Sequence, residues 1–286
     1  MDRSFSFFHT PDMPWEPDPA IPGFKRRLLH VDPVTGGHIK QWYLPPAYGP
    51  AVGTLPHRHY HRSVTERAYH LAGDFPHWEF QSGADMDGEL IVFKRHIFMD
   101  RPPLSIHGRF PDPHSQTGSE ILYWNTGVGT GLGEPEAATE TITVEFDERG
   151  RADLTNFTEA SVFSTVDRPW QAHPKVAQWK IKPLAGRAEG TAPAVLVNVP
   201  ADANGQPEIQ IPGSPEHDDL PWLFVISGDL KVRVTVADVP ADLALREGSY
   251  LSWKLDAAAG FAGEPISDGG AVVLCIGHNL AEPAAD

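Results

Sequence analysis

The stretch that decides the fold runs Gly53-Thr-Leu-Pro-His-Arg-His-Tyr-His-Arg-Ser-Val-Thr-Glu-Arg-Ala-Tyr-His-Leu-Ala-Gly73. Side chains alternate across a strand with a period of two, so His59 and His61 share one face of an extended segment. After a short turn, a second strand returns Glu66 beside them. One hairpin thus gathers two imidazoles and a carboxylate, and Gly73 permits the tight turn expected next. By the same alternation His57 shares the face of His59 and His61, and His70 shares the face of Glu66. Tyr60, Arg67 and Tyr69 point the other way and read as interface or sheet-surface residues.

The chain around this segment is β in character. Among 286 residues there are 28 Pro and 26 Gly, which suit short strands joined by turns rather than helices. Strand-like runs recur at 38–43, 64–71, 90–98, 120–125 and 140–146, and again at 194–199, 222–227, 230–236 and 271–276. The second set repeats the first. Pro14-Trp15 returns as Pro169-Trp170, Phe24-Lys25 as Trp179-Lys180 and Gly73-Asp74 as Gly228-Asp229, each 155 residues on, and Leu29 is matched by Leu184. Two β lobes in series are expected, 1–155 and 156–286.

The quoted segment resembles the first motif of the cupin family, G x5 H x H x4 E x6 G, with Gly53, His59, His61, Glu66 and Gly73 at the defined positions. The second cupin motif ends in P x G x x H. Pro102 and His107 keep its outline, with Leu104 where the family has glycine and Pro111 where it has asparagine. The resemblance implies an all-β fold of two tandem cupin barrels of the double-stranded β-helix, or jelly-roll, type. It also implies one divalent metal ion in the first lobe, held by His59, His61, Glu66 and His107. Histidine density agrees, since eleven of the fourteen histidines fall in the first 150 residues.

Carried forward by 155, His59 maps to Ser214, His61 to Glu216 and Glu66 to Pro221, so the second lobe lacks the metal set. Gly248-Ser-Tyr-Leu-Ser-Trp253 puts Trp253 where His107 is expected, and the lobe reads as packing support. His217, among Glu216, Asp218 and Asp219, reads as a solvated acidic turn.

Three neutral imidazoles and one carboxylate leave a divalent ion at net charge +1 with positions open to water or substrate, the form of a catalytic centre. Ligand type favours Fe(II), with Mn(II), Ni(II), Co(II) and Zn(II) chemically acceptable. Beyond the ligands, Met13-Pro14-Trp15, Pro22-Gly23, Asp32-Pro-Val-Thr-Gly36, Asp87-Gly88-Glu89, Arg101-Pro102-Pro103 and His107-Gly108 resemble ChrR-like and acetylacetone-dioxygenase-like cupins. That likeness implies a dioxygenase splitting a carbon–carbon bond in a small β-diketone or hydroxy-ketone, with His70 or His57 taking the proton that forms the enolate. A metal-dependent lyase or isomerase acting on a sugar acid or carboxylate without oxygen, and a metal- or ligand-binding sensor, fit the same residues.

The remaining features set bounds. A single cysteine, Cys275, allows no internal disulfide and no cysteine-based metal site. A net charge of −15 disfavours nucleic acid and anionic membrane surfaces as partners. The N-terminus shows no signal-peptide pattern, and the chain reads as cytoplasmic, acting on a small molecule with dioxygen, as a monomer or homodimer. The glycine-rich run Gly127–Gly133 lacks the lysine of a phosphate loop.

Overall fold

A computed structural model describes residues 5–33, 35–48, 59–61, 64–81, 85, 87–108, 115–126, 141–143, 158–174, 176, 178–185, 194–201, 209–210, 221–236, 239–253, 260–265 and 269–276. Among these, regular structure is antiparallel strand apart from two three-residue 3-10 turns, Thr10–Asp12 and Thr165–Asp167. The fold is all-β, in two cupin-type barrels. By their contacts the residues divide into Pro14–Val166 and a second unit of Met1–Met13 with Asp167–Asp286.

In the unit Pro14–Val166 the long strand Glu66–Glu79 joins two sheets. Its first half pairs with Ile97–Arg101 on one side and Ser119–Asn125 on the other, and His38–Leu44 and Lys25–Val31 continue the sheet. Its second half, from Asp74, pairs with Glu89–Lys94. There Glu79 bridges to His107, His107 bridges to His59, and His59–His61 pairs with Thr141–Thr143.

The passage between sheets occurs at Gly73. The strand does not turn back there, as the sequence suggested, but bends. Gly73 has φ of +77°, and a Cβ on it would lie 1.8 Å from the carbonyl oxygen of Gly118. Only glycine allows so close a backbone approach.

The other unit repeats this plan. Gly228 has φ of +76°, and a Cβ on it would lie 2.0 Å from the oxygen of Gly270. Registers also repeat. Lys40 faces Tyr123 as Val195 faces Cys275, and His77 faces Ile91 as Val232 faces Leu243. Offsets are 155 before the Glu79/Glu89 hairpin and 152 after it, because the equivalent turn between Val236 and Val239 is shorter. The motif-like spacing of Gly248–Trp253 therefore misplaced Trp253: it is the counterpart of Arg101 and not of His107. Among the described residues, the interior of this unit holds an apolar cluster that includes Val195, Val225, Val232, Leu251, Trp253, Val273 and Cys275.

In each unit a strand distant in sequence completes a sheet. Phe5–His9 pairs with Ser249–Trp253, and Ser161–Ser164 with Ile97–Arg101. Thr10 N–H donates to Gly248 O (3.0 Å), as Thr165 N–H does to His96 O (2.8 Å). His96 holds φ of +71° at the place where its counterpart is Gly248 at +82°.

Three residues expected at an interface or on the sheet surface are covered by other parts of the chain. Arg67 is buried and its Nε donates to Asp100 at 2.8 Å. Tyr69 is buried with its hydroxyl 2.9 Å from His96 Nδ1. Tyr60 packs against Phe80 and Ile106. Alternation set their direction correctly, but strand exchange and flanking loops cover that face.

Candidate metal centre

His59, His61 and His107 converge. All three are buried, and one nitrogen from each lies within 4.8 Å of the others. His59 and His61 share a face as strand alternation requires, and His107 is fixed opposite His59 by paired backbone hydrogen bonds, His59 N to His107 O (2.8 Å) and His107 N to His59 O (2.9 Å). His107 Nδ1 lies 3.0 Å from the carbonyl of Ser105. A carbonyl only accepts, so Nδ1 carries a proton and Nε2 is the nitrogen that faces the cluster. Three neutral imidazole nitrogens at this spacing suit a divalent transition metal, and the group can hold one.

Leu104 occupies the motif's glycine position and explains the residue usually found there. It holds φ of +71°, and its N–H donates to His61 O at 2.7 Å, tying the loop before His107 to the strand carrying His61. The departure keeps the backbone shape at the cost of a strained leucine.

Glu66 comes from the other sheet, so His59, His61 and Glu66 do not form a simple hairpin. Glu66 Oε2 lies 3.1 Å from His107 Nε2, and Oε1 lies 3.5 Å from His61 Nε2. Tyr123 donates its hydroxyl to Oε1 (2.5 Å), and Arg101 Nη1 stands 3.5 Å from Oε2. Burial alone would raise the Glu66 pKa, but His107 and His61 beside it hold it well below the carboxylate range.

Sequence reading missed a buried network behind Glu66. Arg101 Nε donates to Glu79 Oε2 (3.0 Å), its Nη2 pairs with Glu79 Oε1, and His77 Nδ1 lies 2.9 Å from Glu79 Oε1. Burial opposes the charge on Glu79, yet Arg101 and His77 bring its pKa down to about 2. His77 itself is lowered to about 4, first by burial and then by Arg101. The internal repeat carried the signal that would have found this network. At equivalent places the other unit has Val232 for His77 and Trp253 for Arg101, so the barrel does not need these polar groups to fold.

His70 lies in the same interior, stacked on Phe93 with centroids 4.8 Å apart and planes 12° apart. Its Nδ1 is buried without a hydrogen-bond partner, and burial, then Arg101 and His77, lowers its pKa to about 3. Its counterpart is Val225. His57, Gly53, the 127–133 run and His217 lie outside the described residues.

No protein-family model and no curated protein matches the chain. Solved structures do. A candidate dioxygenase from Nostoc punctiforme aligns at 16% identity over 99% of this chain and 86% of that one, with a TM-score of 0.65. HEPD of Streptomyces albus, with its substrate 2-hydroxyethylphosphonate and Fe(II) bound, aligns at 9% identity over 99% and 77% (TM-score 0.60). The oxalate decarboxylase of Lactobacillus farciminis, in a formate complex, aligns at 14% identity over 96% and 86% (TM-score 0.55). At these identities the likeness is one of fold, which is that of cupin-type proteins. Among the described residues, no helix is long and apolar enough to cross a membrane.

Proposed function

We propose that the lobe Pro14–Val166 is a mononuclear metal enzyme, with His59, His61, His107 and Glu66 as ligands and Fe(II) as the native ion. Its proposed reaction is oxygen-dependent cleavage of a carbon–carbon bond in a small β-diketone or hydroxy-ketone, in the manner of acetylacetone-dioxygenase-like cupins. The observation that carries this reading is the meeting of three buried imidazoles with the Glu66 carboxylate in one lobe, while the described residues of the duplicate lobe pack an apolar cluster.

When bound, the metal supplies a Lewis-acidic, redox-active centre with positions open to substrate oxygens. The chain's own groups do the rest. Arg101 and Tyr123 fix the Glu66 carboxylate, so its oxygens are positioned before any ligand arrives. Ser105 fixes the tautomer of His107. The Phe75 and Phe93 rings wall the interior and exclude water, and His70 between them offers an unpartnered Nδ1 to receive the proton lost on enolisation. His57 is the other proposed base.

The test is oxygen uptake by Fe(II)-loaded protein offered β-diketones and hydroxy-ketones. Uptake in step with substrate loss, abolished by His59→Ala, is expected. Turnover of a sugar acid or other carboxylate at the same rate without oxygen would replace the oxygenase with a lyase or isomerase. Ligand binding with no turnover would make the lobe a sensor.

A further inference from the structure

We infer that Lys40, on the wall of the metal-bearing lobe, binds a carboxylate group of the substrate, so the molecule processed is an anionic keto or hydroxy-keto acid. The inference rests on the metal-enzyme reading above and narrows its substrate class.

Lys40 sits in mid-strand in His38–Leu44 and is only 2% exposed. Its Nζ lies 4.4 Å from the Trp42 ring and 5.6 Å from the Tyr123 ring, its cross-strand neighbour. Tyr123 is the residue that donates to Glu66, so the ammonium is one side chain removed from the proposed ligand set. A buried lysine is costly, and the duplicate lobe does without it: Val195 holds the equivalent place, in the same register, inside the apolar cluster.

Asp18 pairs with Lys40 at 3.3 Å, and that contact is not its only one. It also accepts from Ala20 N (2.9 Å), Ile21 N (3.1 Å) and Trp42 Nε1 (2.5 Å), all shorter. The ion pair therefore reads as a device for keeping an ammonium inside the barrel. Two residues earlier on the same strand face, His38 is 4% exposed and its Nε2 has no partner, while Nδ1 lies 3.3 Å from Gly36 O. With Nδ1 directed at a carbonyl, Nε2 is left as an acceptor, which a hydroxyl of a hydroxy-keto acid would satisfy while the Lys40 ammonium takes the carboxylate.

Charge balance points the same way. With Arg26 beside Lys40 counted, Glu66, Glu79 and Asp18 are matched by Arg101, Lys40 and Arg26, so a divalent ion leaves a positive surplus that an anionic substrate reduces and a neutral ketone does not.

The test compares acetoacetate with methyl acetoacetate, which differ in the carboxylate charge. Binding is read anaerobically from the visible spectrum of the Co(II)-loaded protein, and no turnover is needed. Wild type is expected to bind acetoacetate at least about ten-fold more tightly than the ester, and Lys40→Met to lose that preference with the ester affinity and metal content unchanged. Lys40→Arg should retain part of it. If Lys40→Met does not fold because Asp18 is stranded, Asp18→Asn/Lys40→Met removes both charges and is read instead. No preference in wild type, or the same preference in the folded variant, overturns the inference. Oxygen uptake is measured separately: a carboxylate preference without uptake would sink the oxygenase and leave the anion site standing.

Discussion

Glu66 and Arg101 stand opposite each other in strand register, and the equivalent pair in the duplicate lobe is Pro221 and Trp253, where Trp253 N donates to Pro221 O at 3.3 Å. The same backbone position thus carries a buried ion pair in one barrel and apolar packing in the other. Arg101 also holds Glu79, so two carboxylates share one guanidinium.

Removing Arg101 leaves both carboxylates buried without their cation. Arg101→Leu is expected to cost about 3–5 kcal/mol in urea unfolding, and Arg101→Leu/Glu79→Leu clearly less, because the second change removes one stranded charge. A cost below about 1 kcal/mol for the single variant would show that the network holds nothing in place.

At Leu104 the expected direction is reversed. A leucine at φ of +71° stores backbone strain that glycine lacks, so Leu104→Gly should raise stability by up to about 1 kcal/mol while leaving metal affinity intact. A fall in the thermal midpoint would mean that packing of the leucine side chain outweighs its strain.

Gly73→Ala and Gly228→Ala should each be severely destabilising, because a Cβ would lie 1.8 Å and 2.0 Å from backbone oxygens at positive φ. Strain alone contributes about 1–3 kcal/mol at each site before the steric clash is counted. Gly269→Ala, with nothing within 4 Å, is the matched control and should stay within about 0.5 kcal/mol. Equal effects at all three positions would contradict the bend described at Gly73.

Stability of metal-free protein should fall in mild acid. His38 and His77 have folded pKa values of about 4 and His70 of about 3, all below the ordinary 6.5, and burial is the first cause in each. Between pH 6.5 and 4 the unfolded chain binds protons at these positions and the folded chain does not. Their contribution is therefore complete above pH 6.5 and is lost as pH falls toward 4 and 3, at about 1.4 kcal/mol per pH unit for each histidine. Urea midpoints of EDTA-treated protein at pH 7, 6 and 5 test this, and a flat profile would refute it.

How far the sequence carried the reading depended on whether spacing or tertiary pairing controlled each feature. His59, His61 and Glu66 lie on strands whose alternation is local, so their direction was legible. The strands Ala194–Val199, Leu230–Val236 and Ala271–Ile276 were read with their observed bounds because dense apolar runs end at turn residues. The run 90–98 was read as one strand but is two, Glu89–Lys94 and Ile97–Arg101, broken where His96 takes positive φ. Strand Lys25–Val31 was missed because its charged residues hide the pattern. The exchange of Phe5–His9 into a sheet with Ser249–Trp253 has no local signal at all. Arg101, Glu79, His77 and Lys40 were missed for a different reason: a lone charge in a strand reads as solvent-facing, and only its apolar counterpart in the second lobe marks it as interior.

Whether this lobe is a metal centre is decided by the metal content of protein purified without a histidine tag, alongside His59→Ala, His107→Ala and Glu66→Ala. About one divalent ion per folded wild-type chain is expected, with a loss of at least about ten-fold in affinity in each variant. Unchanged metal content in the folded His59→Ala and Glu66→Ala proteins would refute the assignment of these side chains as ligands.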